Sequence, residues 1–176
     1  MDRNQKFIKT KNKIEKAFIE LIDEKGFEQV SVSDICDKAG LNRTTFYTHY
    51  FNINDLLEKL ENEKMMELTN KFTDKELNNN FEKIRAALSF VKANKTFYKI
   101  YFRMTPNLNI LDRYVPPKFY YDYMNIPKNI SKEDYEICVS FFKFGLAGLM
   151  IKWIEGGCKE SADELNQLLS IFNIKL

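Results

Sequence analysis

The sequence is poor in histidine, cysteine, proline and glycine, and these shortages exclude several classes of protein. Its 176 residues include one His, three Cys, four Pro and six Gly. A single histidine, His49, excludes His-rich zinc sites and most arrangements of two catalytic histidines. Cys36, Cys138 and Cys158 show no C-x-x-C spacing, so neither a zinc knuckle nor a redox pair is indicated. We therefore expect no metal and no cofactor.

Long apolar runs are also missing from the sequence. No stretch approaches the roughly 18–20 apolar residues that are needed to cross a bilayer. The basic N-terminal segment 1–16 lacks the apolar centre of a signal peptide. A sparse and odd number of cysteines suits a reducing compartment. These features predict a cytoplasmic protein with no membrane partner.

The composition is that of a globular chain with its basic residues at one end. Apolar residues make up 44% and charged residues 30%, with a net charge of only +2. The length fits one domain, or a small module fused to a larger one. Segment 1–16 holds six basic residues against two acidic ones: Arg3, Lys6, Lys9, Lys11, Lys13 and Lys16. On composition alone, a solvated helix surface is the simpler interpretation.

Apolar residues recur at spacings of three and four along the chain, which is the period of an α-helix. We expect helices over 5–25, 32–39, 43–50, 54–72, 80–94, 95–103 and 132–155, and a last one that runs from Ser161 through Phe172. The four prolines between 106 and 127 predict a broken zone with one short helix near Leu111. No alternation of period two persists long enough to require a strand. The sequence therefore predicts an all-α fold.

Two short helices separated by a tight turn at Gly40 have the pattern of a helix-turn-helix. Gly40 permits the sharp reversal, and Asn42 can cap the second helix. The second helix then presents side chains that hydrogen-bond to phosphates and base edges. These are Arg43, Thr44, Thr45, Thr48 and His49. The same turn also occurs in helical bundles in which it has no binding function, so a purely structural role is the alternative interpretation.

The segment around this turn resembles the DNA-binding signature of the TetR family of bacterial transcription regulators. The resemblance covers SVSDICDKAGLNRTTFYTHYFNINDLL (31–57) and Gly-Phe at 26–27. The matching positions are Ser31, Ile35, Ala39, Gly40, Leu41, Phe46, Tyr47, Tyr50, Leu56 and Leu57. It implies an N-terminal three-helix DNA-binding domain over 1–52 and a helical effector-binding and dimerisation domain over 53–176.

The resemblance also implies a function, and it implies that the chain is not an enzyme. We expect a ligand-responsive regulator, most simply a repressor, that binds a palindromic operator in double-stranded DNA as a homodimer. The run FGLAGLMIKWIEGG is similar to a subgroup that includes a co-activator of dihydroxyacetone-kinase operons. In that alternative, the chain is a co-regulator that responds to a protein partner instead of a small molecule.

The helix-turn-helix pattern and the resemblance place eight residues at the DNA: Ser31, Asn42, Arg43, Thr44, Thr45, Tyr47, Thr48 and His49. Arg43 and Thr44 begin the recognition helix and are expected to contact bases, because the start of that helix faces the groove. Tyr47 and His49 are expected to contact phosphates, and Thr45 is expected to contact either a base or a phosphate. Ser31 caps its helix near a phosphate.

One position departs from the family in a way that bears on affinity. Many family members have a phosphate-binding lysine where this chain has Ile53, which cannot bind a phosphate. We expect a lower affinity and a weaker salt dependence unless Lys6, Lys9 or Lys59 substitutes for that lysine.

The second part of the chain is rich in aromatic residues, which either fill an ordinary helical core or line an effector pocket. The pocket candidates are Phe97, Tyr98, Tyr101, Arg103, Tyr123 and Phe141. The last two helices are too apolar for a monomeric bundle, and their small residues would let a partner helix approach closely. The candidate dimer interface comprises Phe144, Gly148, Ile151, Leu165 and Leu168.

Overall fold

The computed structural model describes residues 2–77, 79–104, 117–124, 126–127 and 129–171. Within these ranges the chain forms α-helices, one short 3-10 helix and no strand. The prediction of an all-α fold is therefore confirmed. The chain divides into two compact units, Met1–Lys64 and Met65–Leu176. The predicted functional boundary after residue 52 stays a prediction, because compactness alone does not define function.

The first unit contains three complete helices and the start of a fourth. They are α1 (Arg3–Lys25), α2 (Val32–Ala39), α3 (Arg43–Tyr47) and α4 (Ile53–Thr73), with a 3-10 helix at Phe27–Gln29. α1 packs against α2, and α2 packs against α3. Buried side chains from all four helices form the core, among them Phe18, Ile35, Phe46 and Leu56.

α3 is shorter than the predicted helix over 43–50. It ends at Tyr47, and a turn follows in which the amides of His49 and Tyr50 both donate to the carbonyl of Phe46, at 2.9 and 3.0 Å. Sharing one carbonyl tightens the last turn and ends the regular helix. The shortened helix still carries Arg43 and Tyr47 at its two ends.

Within its described residues, the second unit contains the end of α4 and five further helices. They are α5 (Asn80–Ala93), α6 (Lys95–Met104), α7 (Pro117–Met124), α8 (Lys132–Glu155) and α9 (Ala162–Ser170). α9 packs against α5, α6 packs against α8, and α5 contacts α6. The buried side-chain amide of Asn166 donates to the carbonyl of Phe81 at 2.7 Å and so joins α9 to the start of α5.

The sequence did not predict α7. The four prolines predict a broken zone here, but Pro117 is the first residue of this helix. Proline is favoured there because its missing N–H has no helical partner in any case and its fixed φ suits a helix. The predicted short helix near Leu111 lies outside the described residues. The last helix ends at Ser170 instead of Phe172, which also lies outside them.

α8 is more apolar than we predicted from the sequence. By length and composition alone, Lys132–Glu155 would suffice to cross a membrane, contrary to our expectation that no stretch approaches this. Only 28% of its most apolar 18-residue window is buried within the structure. A long apolar helix with much of its surface uncovered also fits a protein–protein interface.

Candidate nucleic-acid interface

The turn between α2 and α3 reverses the chain over only three residues, 40–42. Gly40 adopts the left-handed conformation with φ +65° and ψ +43°, which strains residues that have a Cβ. The amide of Leu41 then donates to the carbonyl of Cys36 at 2.9 Å, as in a Schellman-type helix end. The sharp turn predicted from the sequence is therefore present, and it brings the start of α3 directly after α2.

The start of α2 is held by a reciprocal cap. The Ser31 hydroxyl accepts from the amide of Asp34 at 3.2 Å, and the Asp34 carboxylate accepts from the amide of Ser31 at 2.8 Å. The hydroxyl also donates to this carboxylate, and Lys25 lies 2.9 Å from it. Hydrogen bonds from Ser31, followed by Lys25, hold the pKa of Asp34 well below its usual range. The predicted capping role of Ser31 is confirmed.

The start of α3 is capped by Asn42, which leaves the helix's first two side chains unengaged. The Asn42 side-chain oxygen accepts from both the amide and the hydroxyl of Thr45, at 2.7 and 2.8 Å. Arg43 and Thr44 are exposed, with no side-chain hydrogen bond or ion pair in this described part of the chain. These two residues therefore have their full hydrogen-bonding capacity available to a partner.

The other polar residues of α3 and of the turn after it differ in their exposure and in their hydrogen bonds. Tyr47 is 57% exposed, and its ring meets the buried Phe46 edge-on at 5.5 Å between centroids. The Thr48 hydroxyl donates to the carbonyl of Thr45 at 2.7 Å, so it is engaged within the helix. Tyr47 thus remains largely exposed, while Thr45 and Thr48 use their hydroxyls to stabilise α3.

His49 is half-buried against α1. Its ring stacks on Phe7, with 4.0 Å between ring centroids and 27° between planes, and its Nδ1 is buried without a hydrogen-bond partner in the described structure. Burial lowers the pKa of His49; nearby Glu15 opposes the shift and Lys11 adds to it. His49 is therefore held neutral near pH 7, with one ring nitrogen inaccessible to a ligand.

We expect His49 to make the fold sensitive to mild acid. Because its folded pKa is lowered, the unfolded chain binds a proton at a higher pH than the folded chain does. Stability therefore falls as the pH drops through about 6.5, the ordinary His value. Urea denaturation at pH 7.5 and 5.5 should show a lower midpoint at pH 5.5. The midpoint of His49→Phe, which keeps the stack on Phe7, should drop less; an equal drop would contradict this assignment.

A partly buried polar network joins three elements of the first unit: α1, the turn after α3, and α4. The Tyr50 hydroxyl donates to Glu15 at 2.8 Å, and Lys11 bridges Glu15, at 3.1 Å, to Glu63 on α4. Burial raises the pKa of Tyr50, and Glu15 reinforces this. Burial lowers the pKa of Lys11, but its bonds to Glu63 and Glu15 outweigh that and raise it. No local pattern in the sequence predicts the contacts of Tyr50 with Glu15 and of Lys11 with Glu63, because their partners lie 35 and 52 positions apart.

The same substitution at two tyrosines should separate stability from binding. Tyr50→Phe removes a donor from the buried Glu15 carboxylate and should lower the free energy of unfolding by about 1–3 kcal/mol. Tyr47→Phe alters an exposed side chain and should change it by less than about 0.5 kcal/mol while weakening binding to DNA. Urea denaturation and gel shifts of both variants test this, and equal stability of the two would contradict the role of the network.

The effector-pocket candidates do not all lie together. Phe97, Tyr98 and Tyr101 are buried on α6, with ring centroids of Phe97 5.1 Å from Tyr98 and 5.9 Å from Tyr101. Phe141 is 76% exposed on α8 and is not part of this cluster. The side chains of Arg103 and Tyr123 lie outside the described residues. Three of the six candidates thus form an aromatic cluster, which we call the α6 cluster.

The dimer candidates also divide into two groups. Phe144 and Gly148 are exposed and Ile151 is partly exposed along α8, and Leu168 is exposed on α9. Leu165, by contrast, is only 4% exposed and belongs to the core of its own unit, where α9 packs against α5. Spacing could not distinguish Leu165 from Leu168, since only the packing of α9 decides which one turns inward.

Comparison with protein families accounts for both parts of the chain. A model described as bacterial regulatory proteins of the tetR family matches residues 14–60. A TetR-type model described as the C-terminal region of a transcriptional regulator matches residues 78–175, more than half of the chain. The chain belongs to the TetR family. It is therefore a transcriptional regulator and not an enzyme, as the sequence predicted. TetR-family regulators bind operator DNA and typically act as dimers.

Two curated relatives are about equally similar to this TetR-family chain. One is an uncharacterized HTH-type transcriptional regulator, YxbF, from Bacillus subtilis (strain 168), with 30% identity over 71 residues. The other is the dhaKLM operon transcriptional activator DhaS from Lactococcus lactis, with 30% identity over 120 residues. The matches cover 40% and 63% of this chain. They span only 19% and 63% of the relatives' own lengths.

Solved structures of TetR-type regulators share the fold over nearly the whole chain. A TetR regulator from Streptococcus agalactiae 2603V has a TM-score of 0.68 at 22% identity and 97% coverage of both chains. The fatty acid degradation regulator FadR from Bacillus halodurans has 0.72 at 18% identity, covering 94% of this chain and 98% of its own. DhaS, the dihydroxyacetone kinase operon activator, has 0.62 at 23% identity and 94% coverage of both. The neighbours therefore include the subgroup that the sequence suggested.

Proposed function

We propose that this TetR-family chain is a cytoplasmic, ligand-responsive repressor that binds a palindromic operator as a homodimer. The observation that carries the proposal is the start of α3, where Arg43 and Thr44 are exposed and unengaged directly after the Gly40 turn. In this proposal both residues contact bases in the major groove, and Tyr47 donates to a phosphate at the other end of the helix. Asn42 and Ser31 then act mainly by holding the two helices in place next to the DNA.

The proposed dimer forms through an apolar stripe on α8 together with the exposed edge of α9. The stripe has spacings of 4, 3, 4 and 3 residues, which is the repeat of helices that pack side by side. It consists of Ile137, Phe141, Phe144, Gly148 and Ile151. Leu168 on α9 and Ile171, just after the end of α9, are also exposed, and they complete the proposed interface. We call these residues the α8–α9 face. A two-fold dimer places its two recognition helices at half-sites about 34–36 Å apart.

The proposed response to an effector runs through α4. An effector that binds one arrangement of the second unit better than another, next to the α6 cluster, shifts the balance between the two arrangements. α4 is a single helix that starts in the first unit and ends in the second, so it can carry the change to the DNA-binding unit. Operator affinity falls when the two recognition helices leave their one-turn spacing.

A second candidate function is that of a co-regulator that responds to a protein partner. Two observations favour it. Phe51, in the turn after α3, is 82% exposed, and Ile53, the first residue of α4, stands where many family members have a phosphate-binding lysine, so binding to DNA alone would be weak. In addition, the relative DhaS is named as an activator of its operon. Operator binding that requires a second protein would support this candidate over the first.

The proposed operator can be tested without knowing its sequence. In vitro selection from a duplex library with 30 random base pairs should enrich an inverted repeat whose half-sites lie about 10–10.5 base pairs apart. The matched control is the Arg43→Ala variant in the same selection, which should enrich the repeat weakly or not at all. A library that yields no repeat with the unaltered protein would contradict the proposal of a palindromic operator.

A further inference from the structure

A row of basic side chains on α1 is not among the residues that are proposed to contact the operator through α3. Arg3, Lys6, Lys9 and Lys13 recur at spacings of three and four residues and therefore share one side of the helix. All four are exposed. None has a carboxylate within ion-pair distance in the described structure, unlike Lys11 on the same helix. We call these four residues the α1 basic face.

The helix-turn-helix segment itself offers little positive charge to a nucleic acid. Residues 17–60 contain four basic residues against eight acidic ones. Carboxylates hold three of the four: Lys25 by Asp34 at 2.9 Å, Lys38 by Glu24 at 2.7 Å and Lys59 by Asp55 at 2.9 Å. Within this fully described segment, only Arg43 has no carboxylate partner. One unpaired cation is few for a protein that must displace counterions from DNA.

The turn after α3 does not supply additional positive charge. Phe51 lies in this turn and Ile53 begins α4 just after it, and neither side chain can bind a phosphate. The nearest basic residue on α4 is Lys59, which lies over the Tyr50 ring at 5.5 Å as well as on Asp55. Of the three lysines named as possible substitutes for the missing contact, the structure therefore leaves Lys6 and Lys9 available and Lys59 engaged.

The α1 basic face starts beside the recognition helix. Phe7, in the second turn of α1, stacks on His49 at 4.0 Å, and His49 follows the end of α3 by two residues. Arg3 lies one helical turn before Phe7, so the first turns of α1 are next to the C-terminal end of α3. The first turn of α1 contains no acidic residue, and Asp2 makes no side-chain cap there, so the positive helix end adds to the charge.

We propose that the α1 basic face binds backbone phosphates of the DNA that flanks each half-site and supplies most of the salt-dependent affinity. The inference rests on the proposed function, in which α3 binds operator DNA. Two surfaces of the first unit then have different roles in DNA binding. Arg43 discriminates between base sequences, and the α1 basic face binds any duplex. The chemistry recognised is the phosphodiester backbone of double-stranded DNA, independent of base sequence.

The test measures the salt dependence of binding to a duplex of random sequence, which needs no knowledge of the operator. A variant with Lys6→Ala, Lys9→Ala and Lys13→Ala should bind a fluorescent 30-base-pair duplex with a shallower slope of log affinity against log salt. Each lost phosphate contact reduces the slope by about 0.9, so we expect a reduction of about 2–3 per protomer. The matched control carries Lys75→Ala, Lys95→Ala and Lys159→Ala, which removes the same charge from exposed positions of the second unit.

A shallower slope in the α1 variant and an unchanged slope in the control support the inference. An unchanged slope in the α1 variant overturns it, as does an equal reduction in both variants, which would reflect net charge alone. The Arg43→Ala variant tests the proposed function separately. If it loses operator preference while its salt dependence stays nearly unchanged, α3 recognises the base sequence, whichever result the α1 variant gives.

Discussion

Arg43→Ala should abolish most of the preference of this protein for its operator over unrelated DNA. Arg43 is exposed at the first position of α3, and no carboxylate of the described segment engages it. A guanidinium that contacts the O6 and N7 atoms of a guanine contributes about 1–3 kcal/mol of discrimination, a factor of roughly 5 to 150 for each half-site. Competition gel shifts on a selected operator against random duplex measure the loss.

Two further variants make the Arg43 test specific. Arg43→Lys keeps the charge but loses the two-pronged geometry, so it should lose operator preference while the salt dependence stays the same. Lys38→Ala removes a basic side chain from α2 that is already held by Glu24 at 2.7 Å, and it should leave operator preference unchanged. If Arg43→Ala retains full operator preference, α3 is not the surface that reads the bases.

Placing two aspartates on the α8–α9 face should produce a monomer that binds the operator at least about 100-fold more weakly. Phe141 and Phe144 are 76% and 67% exposed in the protomer, so Phe141→Asp with Phe144→Asp leaves the core intact. In a dimer the two carboxylates would be buried without partners, which is strongly unfavourable. A monomer binds only one half-site and loses the gain of 100-fold or more that comes from binding two sites at once.

Analytical ultracentrifugation and operator binding test this second prediction together. The matched control is Met66→Asp, which places a carboxylate at an exposed apolar residue of the same unit, on α4 and not part of the proposed face. The control should stay dimeric and bind normally, and helix content by circular dichroism should be the same for all three proteins. A double variant that remains dimeric at micromolar concentration would exclude the α8–α9 face as the dimer interface.

Local signals in the sequence were sufficient for most helix boundaries. Ser31 and Asn42 cap α2 and α3 as predicted, and Gly40 ends α2 in the left-handed conformation. Ser131 and Ser161 cap α8 and α9 in the same way. These predictions succeeded because a cap or a glycine turn involves residues only three or four positions apart. Among the described helices, the one that the sequence did not predict, α7, begins at a proline, a residue that is compatible with both a break and a helix start.

The sequence by itself determined the helical architecture, the family and the exposed polar start of α3, because each depends on neighbouring residues or on a short motif. Only the tertiary structure decided which side chains remain available to a partner. It paired Lys59 and Lys38 with carboxylates but left the α1 basic face unpaired, and it joined Tyr50 to Glu15 across 35 positions. The physical reason is that charge pairing and burial depend on which distant segments the fold brings together, and this information is spread over the whole chain.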